Sequence, residues 1–166
     1  MIETPDSKID KQQPLITLIH QNTIYKVTKK QFSSKSKIYS IFENSFCSRF
    51  YIPDIFNTFT VQSFIKFIET SQVRVKVDNC IEFLSLSEIL GCERIVNKAI
   101  VLTVNVPKEE ILIQYVALLE HNIDSYSVQK IIIQNFGYYL KFKKDLLVRL
   151  PVYKLCQILQ KVLAYE

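Results

Sequence analysis

Leu15-Ile16-Thr17-Leu18-Ile19-His20, then Gln21-Asn22-Thr23, then Ile24-Tyr25-Lys26-Val27: the fold turns on how this stretch is read. Its first six residues are mostly branched and apolar, side chains that suit a pleated strand. Gln21-Asn22-Thr23 supplies turn chemistry, and the alternation in Ile24-Tyr25-Lys26-Val27 predicts the return strand of a hairpin. From Lys29 the period changes. Phe32, Ser36, Tyr39 and Phe42, with Ile38 and Ile41, recur at three and four residues, the stripe of one amphipathic helix or two short ones. A chain that changes period in this way belongs to the α+β class.

Working outward, Phe50-Tyr51-Ile52, stopped by Pro53, predicts a third short strand. Val61, Phe64, Ile65 and Ile68 share one face of a helix, with Gln62, Ser63, Lys66 and Glu69 on the other. Val73, Val75 and Val77 alternate with Arg74 and Lys76, which predicts a half-exposed strand at a sheet edge. Asp78 or Asn79 is placed to cap a helix through Ile81, Leu84, Ile89 and Leu90, and Gly91 suits its left-handed stop. A further helix begins near Cys92 and carries Ile95, Val96, Ala99, Ile100 and Leu102. Pro107 is the one boundary: it suits a first helical position, and Glu109 and Glu110 suit the positive end of a helix. Beyond it the pattern is helical throughout, with one helix along Ile111, Tyr115, Leu118 and Leu119 and another over 127–136. A short one over 146–150 stops at Pro151, and a last one carries Val152, Leu155, Ile158, Leu159 and Val162. Gly137 is expected to end a helix. Residues 1–14 are polar and read as a loose arm, so the expected organisation is arm 1–14, mixed unit 15–105 and helical region 106–166.

Composition narrows the function. The 166 residues are 48% hydrophobic and 12% aromatic, enough for a sizeable core and against intrinsic disorder. Only two residues are glycine, Gly91 and Gly137, so neither a phosphate-cradling loop nor a dinucleotide fingerprint has the close-spaced glycines it needs. The net charge of +5 is too small and dispersed to demand nucleic acid as a partner. The densest basic stretch, Lys26, Lys29, Lys30, Lys35 and Lys37, reads as solvated lysines, with a phosphate-tracking patch as the lesser reading. None of Cys47, Cys80, Cys92 and Cys156 forms a Cys-x-x-Cys pair, so no zinc cage of close-spaced thiols is expected. His20 and His121 stand alone and read as capping or surface histidines rather than general bases. No apolar run approaches the ~20 residues of a membrane span, and Glu3, Asp6 and Asp10 make the opening unlike a secretory leader. The expectation is a cytoplasmic or nuclear protein that is not an enzyme, with no cofactor, metal, membrane or small-molecule substrate.

The order of elements resembles that of BTB/POZ domains. Tyr25-Lys26-Val27 leading through Phe32 into Lys35-Ser36-Lys37-Ile38-Tyr39 is similar to the family's passage from its second strand into its early helices. Phe64-Ile65-Lys66-Phe67-Ile68-Glu69-Thr70 resembles its Phe-Ile-Tyr-Thr-Gly segment, with Glu69 where the family has tyrosine and Ser71 where it has glycine. Leu90-Gly91-Cys92-Glu93-Arg94-Ile95 is similar to the family's helix end followed by a charged pair. Gln134-Asn135-Phe136, then Leu146-Leu147-Val148-Arg149-Leu150-Pro151, Leu155 and Ile158-Leu159 resemble the BACK region that follows many BTB domains.

The resemblance implies a BTB/POZ fold over 15–105 and an all-α BACK-like extension over 106–166. Such proteins commonly act as adaptors bringing a target to a cullin-RING ubiquitin ligase. Carried over, the cullin-like face is Phe64, Phe67, Glu69 and Gln72 in the first part, and Leu112, Tyr115, Val116 and Leu119 in the second. The alternative is a BTB self-assembly or scaffolding module without a role in ubiquitin transfer. Leu15 and Thr28 stand where adaptor dimers carry aspartate and histidine, with Lys29 alone retained, so a monomer or a weak or differently built dimer is expected. With no target-binding domain after Glu166, a partner or the helical tail is expected to recognise the target.

Overall fold

The computed structural model describes residues 15–38 and 48–164 and is of the α+β class. The hairpin forms where its pattern places it. Strand β1 (Leu15–His20) pairs antiparallel with β2 (Thr23–Thr28), in register from Leu15↔Thr28 to His20↔Thr23. The two-residue turn puts Gln21 at φ +52°, and its N–H donates to the Asp54 carboxylate at 3.2 Å. The third strand, β3 (Arg49–Ile52), lies parallel to β1, giving a mixed sheet of order β2-β1-β3. Ile16, Leu18, Val27 and Ile52 supply its buried face.

Helix α1 (Lys29–Ser33) starts directly from β2. The Thr28 hydroxyl accepts from the Gln31 N–H while the Gln31 side-chain Oε1 accepts from the Thr28 N–H, a reciprocal capping box. It carries Phe32, at 0% exposure, into the core. Tyr39, Ile41 and Phe42 of the predicted stripe, Cys47, and the arm 1–14 all lie outside the described residues.

Helix α2 (Thr58–Thr70) opens at Asn57, whose side-chain oxygen accepts from the Phe59 N–H at 2.8 Å. It ends on Ser71, left-handed at φ +64°. The strand expected over Val73, Val75 and Val77 does not join the sheet: residues 72–76 have no strand partner among the described residues, and Val77–Asn79 form a 3-10 turn. The alternation is real nonetheless, with the valines half-buried and Arg74 and Lys76 exposed. Periodicity reports which side chains face the core; it does not supply a neighbouring backbone.

Helix α3 (Cys80–Ile89) is buried on nearly every side, and its Ser85 and Ser87 hydroxyls donate back to the Ile81 and Phe83 carbonyls. Asn79 orders the preceding turn, accepting from the Lys76 N–H at 2.9 Å, and makes no side-chain cap to α3. Gly91 adopts φ +64°, the expected left-handed stop. Then follow α4 (Glu93–Thr103), α5 (Lys108–Glu120), α6 (Tyr126–Gln134), α7 (Phe136–Phe142), α8 (Lys144–Leu147) and α9 (Val152–Leu163). Pro107 sits one residue ahead of α5, at its cap. Gly137 does not end a helix but lies inside α7; the break falls at Asn135, whose side-chain amide donates to the Ile131 carbonyl at 2.8 Å.

One apolar cluster runs from Ile16 in β1 to Ile158 in α9 without interruption at Pro107. Glu88 of α3 fastens the two regions, accepting from the Ser125 hydroxyl at 2.7 Å and the Ser127 N–H at 2.8 Å.

Candidate protein-binding face

The sequence-derived face divides by burial. Phe64, Phe67, Leu112, Tyr115, Val116 and Leu119 are core residues, none more than 8% exposed, whereas Glu69 and Gln72 are exposed. That division has a simple cause. Helix α2 buries Val61, Phe64, Ile65, Phe67 and Ile68, so an apolar residue on it is most often packing against the sheet and α3. Helix α5 is enclosed on most of its circumference, with Ile111, Leu112, Tyr115, Val116, Leu118 and Leu119 all buried. These six contribute mainly to the core and offer little surface in this conformation.

The outward side of α2 is a different set. Phe59 (54% exposed), Gln62, Ser63 and Lys66 project from the helix, and Gln72 and Arg74 face them from the segment that follows. Together they line an open groove of about 490 Å³. The Ser71 turn brings the two walls together, and the Lys35 ammonium holds that turn through the Ser71 hydroxyl. The Lys76 ammonium lies 5.8 Å from the centroid of the exposed Phe59 ring, a cation–π contact. Sequence reasoning passed over Phe59 because a lone apolar residue on the polar side of a stripe carries no periodic signal.

The remaining reactive side chains are dispersed. His20, expected at a capping or surface position, is 1% exposed at the end of β1, and its Nε2 has no hydrogen-bond partner among the described residues. His121 is exposed, its Nδ1 3.0 Å from the Ala117 carbonyl oxygen, as expected of a histidine at a helix end. Burial pushes the Cys92 thiol up to about 12 and also raises Cys80, which keeps both as neutral thiols at neutral pH. Among the described residues, no three His, Cys, Asp or Glu side chains gather in a way that would hold a metal ion. Nor is any described helix long and apolar enough to cross a membrane.

The helical region is held by polar contacts of its own. Asp124 accepts from the Tyr115 hydroxyl at 2.7 Å and pairs with the Lys154 ammonium, whose residue is only 2% exposed. Glu109, at the start of α5, receives the Tyr138 hydroxyl and lies 3.3 Å from the Lys143 ammonium. The Tyr138 hydrogen bond is the main cause holding the Glu109 carboxyl down to about 2.

No protein-family model matches this chain, and a search of curated proteins returns no match.

Proposed function

We propose that this chain is a protein–protein interaction module, an adaptor that links a target to a cullin-RING ubiquitin ligase. The observation that carries the reading is the open groove on the outward side of α2, where an exposed aromatic ring, an amide pair and cationic side chains surround a concave surface. Aromatic and arginine anchors in such a surface dominate protein–protein binding energies. The hairpin, third strand and helices, followed by a helical region, follow the element order of the resemblance to BTB and BACK regions, except that the strand expected over Val73, Val75 and Val77 is not formed among the described residues.

The test is a pull-down of the full chain with a recombinant cullin N-terminal domain. Phe59→Ala and Lys66→Glu are the informative variants, because both side chains are exposed and their loss leaves the core intact. Binding below about 10 μM in the wild type, weakened tenfold or more by either variant, supports the adaptor. Absence of binding at that concentration refutes it.

A second reading, self-assembly without ubiquitin transfer, draws on α9. Val152 (79% exposed), Leu159 (38%) and Leu163 (68%) make an outward apolar stripe that Cys156 continues and no charged residue interrupts. An uncovered stripe of this kind suits contact with another helix. Light scattering decides it: a dimer mass that reverts to about 20 kDa in Leu159→Glu favours assembly, and a monomer mass in the wild type removes it.

A further inference from the structure

We propose that residues 72–76, with the adjoining face of α4, form a docking groove for an acidic, extended peptide segment of a partner protein, which adds to this stretch as a strand. The inference does not rest on the adaptor reading, although Val73 and Arg74 line both grooves. It starts from the backbone. Gln72 and Lys76, at the two ends, have N–H groups engaged by the Thr70 hydroxyl at 3.3 Å and the Asn79 side chain at 2.9 Å. Between them, the N–H groups of Val73, Arg74 and Val75 enter no hydrogen bond with another described residue. Alternating exposure, and Lys76 at φ −117° and ψ 165°, mark this backbone as extended. In an extended chain the pairing groups of successive residues point to opposite edges, so three free residues leave a donor and an acceptor on each edge. A pinned, extended, unpaired stretch is a template for strand addition.

The side chains select the occupant. Between the stretch and α4 lies a groove of about 530 Å³ with Val73, Val75, Val101 and Leu102 as apolar lining. Its charged lining is Arg74, Arg94 and Lys98, and no acidic residue lines it. Arg94 and Lys98 are one turn apart on α4 and therefore share a face. None of the three cations makes a hydrogen bond or ion pair with another described residue. The neighbouring acid, Glu93, is engaged by Lys37 at 2.5 Å. Three cations held together without a counter-charge, over apolar lining and beside a free backbone ladder, fit a strand that alternates carboxylates with apolar side chains. Nucleic acid would meet the charge but use neither the ladder nor the valines. A second copy carries the same net charge of +5 and repels this surface.

The experiment uses the full chain and a fluorescein-labelled (Glu-Val)4 peptide, read by anisotropy. We expect a Kd of about 10–100 μM, weakened at least tenfold by the double variant Arg94→Glu/Lys98→Glu, whose circular dichroism stays unchanged because both side chains are exposed. The same peptide N-methylated on alternate residues, which keeps its charge but blocks pairing, is expected to lose most of its binding. The proposal is overturned by no binding of (Glu-Val)4 at 1 mM, by equal binding of (Lys-Val)4, or by equal binding of the N-methylated peptide. The last identifies a general polyanion site. A dimer mass that Arg94→Glu/Lys98→Glu halves overturns it in favour of a second copy. Cullin capture depends on Phe59 and Lys66 instead, so either reading can fail without the other.

Discussion

At the scale of single residues, two left-handed positions carry opposite expectations. Gly91 sits at φ +64° where a β-carbon would come within 2.9 Å of Ile38 Cγ1 and 3.0 Å of the Ile38 nitrogen. Its carbonyl also accepts from the Lys37 N–H at 3.0 Å, so the backbone there cannot retreat without breaking that contact. Gly91→Ala therefore meets both conformational strain and a clash, and is expected to cost about 2–3 kcal/mol in urea unfolding. Ser71 is the mirror case. It holds φ +64° with a β-carbon present, and its hydroxyl serves only an exposed lysine contact. Ser71→Gly relieves the left-handed penalty, less the entropy that glycine adds to the unfolded chain, and should stabilise by about 0.5–1 kcal/mol. A lower urea midpoint for Ser71→Gly would show that the lysine contact outweighs the strain. Gly91 was legible in sequence because a glycine after an apolar helix has few other uses. Phe64 and Tyr115 were legible as apolar but not as buried, since a phenylalanine at an interface and one in a core have the same periodicity.

At the scale of elements, α9 is held by a buried cation rather than by apolar contact alone. Lys154 is 2% exposed and is neutralised by Asp124, whose side chain is 51% exposed. Removing the acid strands an ammonium in the interior, so Asp124→Ala is expected to cost about 2–3 kcal/mol, less than a fully enclosed pair because water reaches the carboxylate side. Adding Lys154→Met should recover more than half of that loss, and a double-mutant cycle measures it. Burial pushes the Asp124 carboxyl up, but hydrogen bonds from Lys154 and Tyr115 outweigh it and hold the group below its ordinary value. A depressed folded-state value gives stability that is full above the unfolded value of about 3.9 and is lost as pH falls through the folded one. Wild type and Asp124→Asn should thus differ in urea midpoint at neutral pH, with the difference shrinking as pH falls below about 4 and closing only below the lowered folded-state value. Nothing local in the sequence joined Asp124 to Lys154, because their meeting depends on how α9 returns across α5 and α6. The stretch 72–76 shows the same limit: its alternation was legible, its lack of a strand partner was not.

At the scale of the whole molecule, the helical region is not an appendage. The apolar cluster passes from the sheet through α3 into α5, α6 and α9, and Glu88 bonds Ser125 and Ser127 across the boundary that Pro107 marked in sequence. Burying each large side chain in such a cluster contributes about 1.5–3 kcal/mol, so cutting through it would expose several at once. The full chain is therefore expected to unfold in one cooperative transition, with tyrosine fluorescence and far-ultraviolet circular dichroism coincident in urea. Two separated transitions would mean that the regions before and after residue 106 fold independently. Sequence alone determined the α+β class, the hairpin, most helix positions and the exclusion of glycine-rich phosphate loops. These depend on local period, turn chemistry and composition, which each segment carries by itself. Tertiary structure alone decided which apolar residues face inward, that 72–76 has no strand partner among the described residues, and that Phe59 with Lys66, and Arg74 with Arg94 and Lys98, line neighbouring grooves. Those outcomes depend on which surfaces the folded neighbours cover, and side-chain period is blind to what lies opposite.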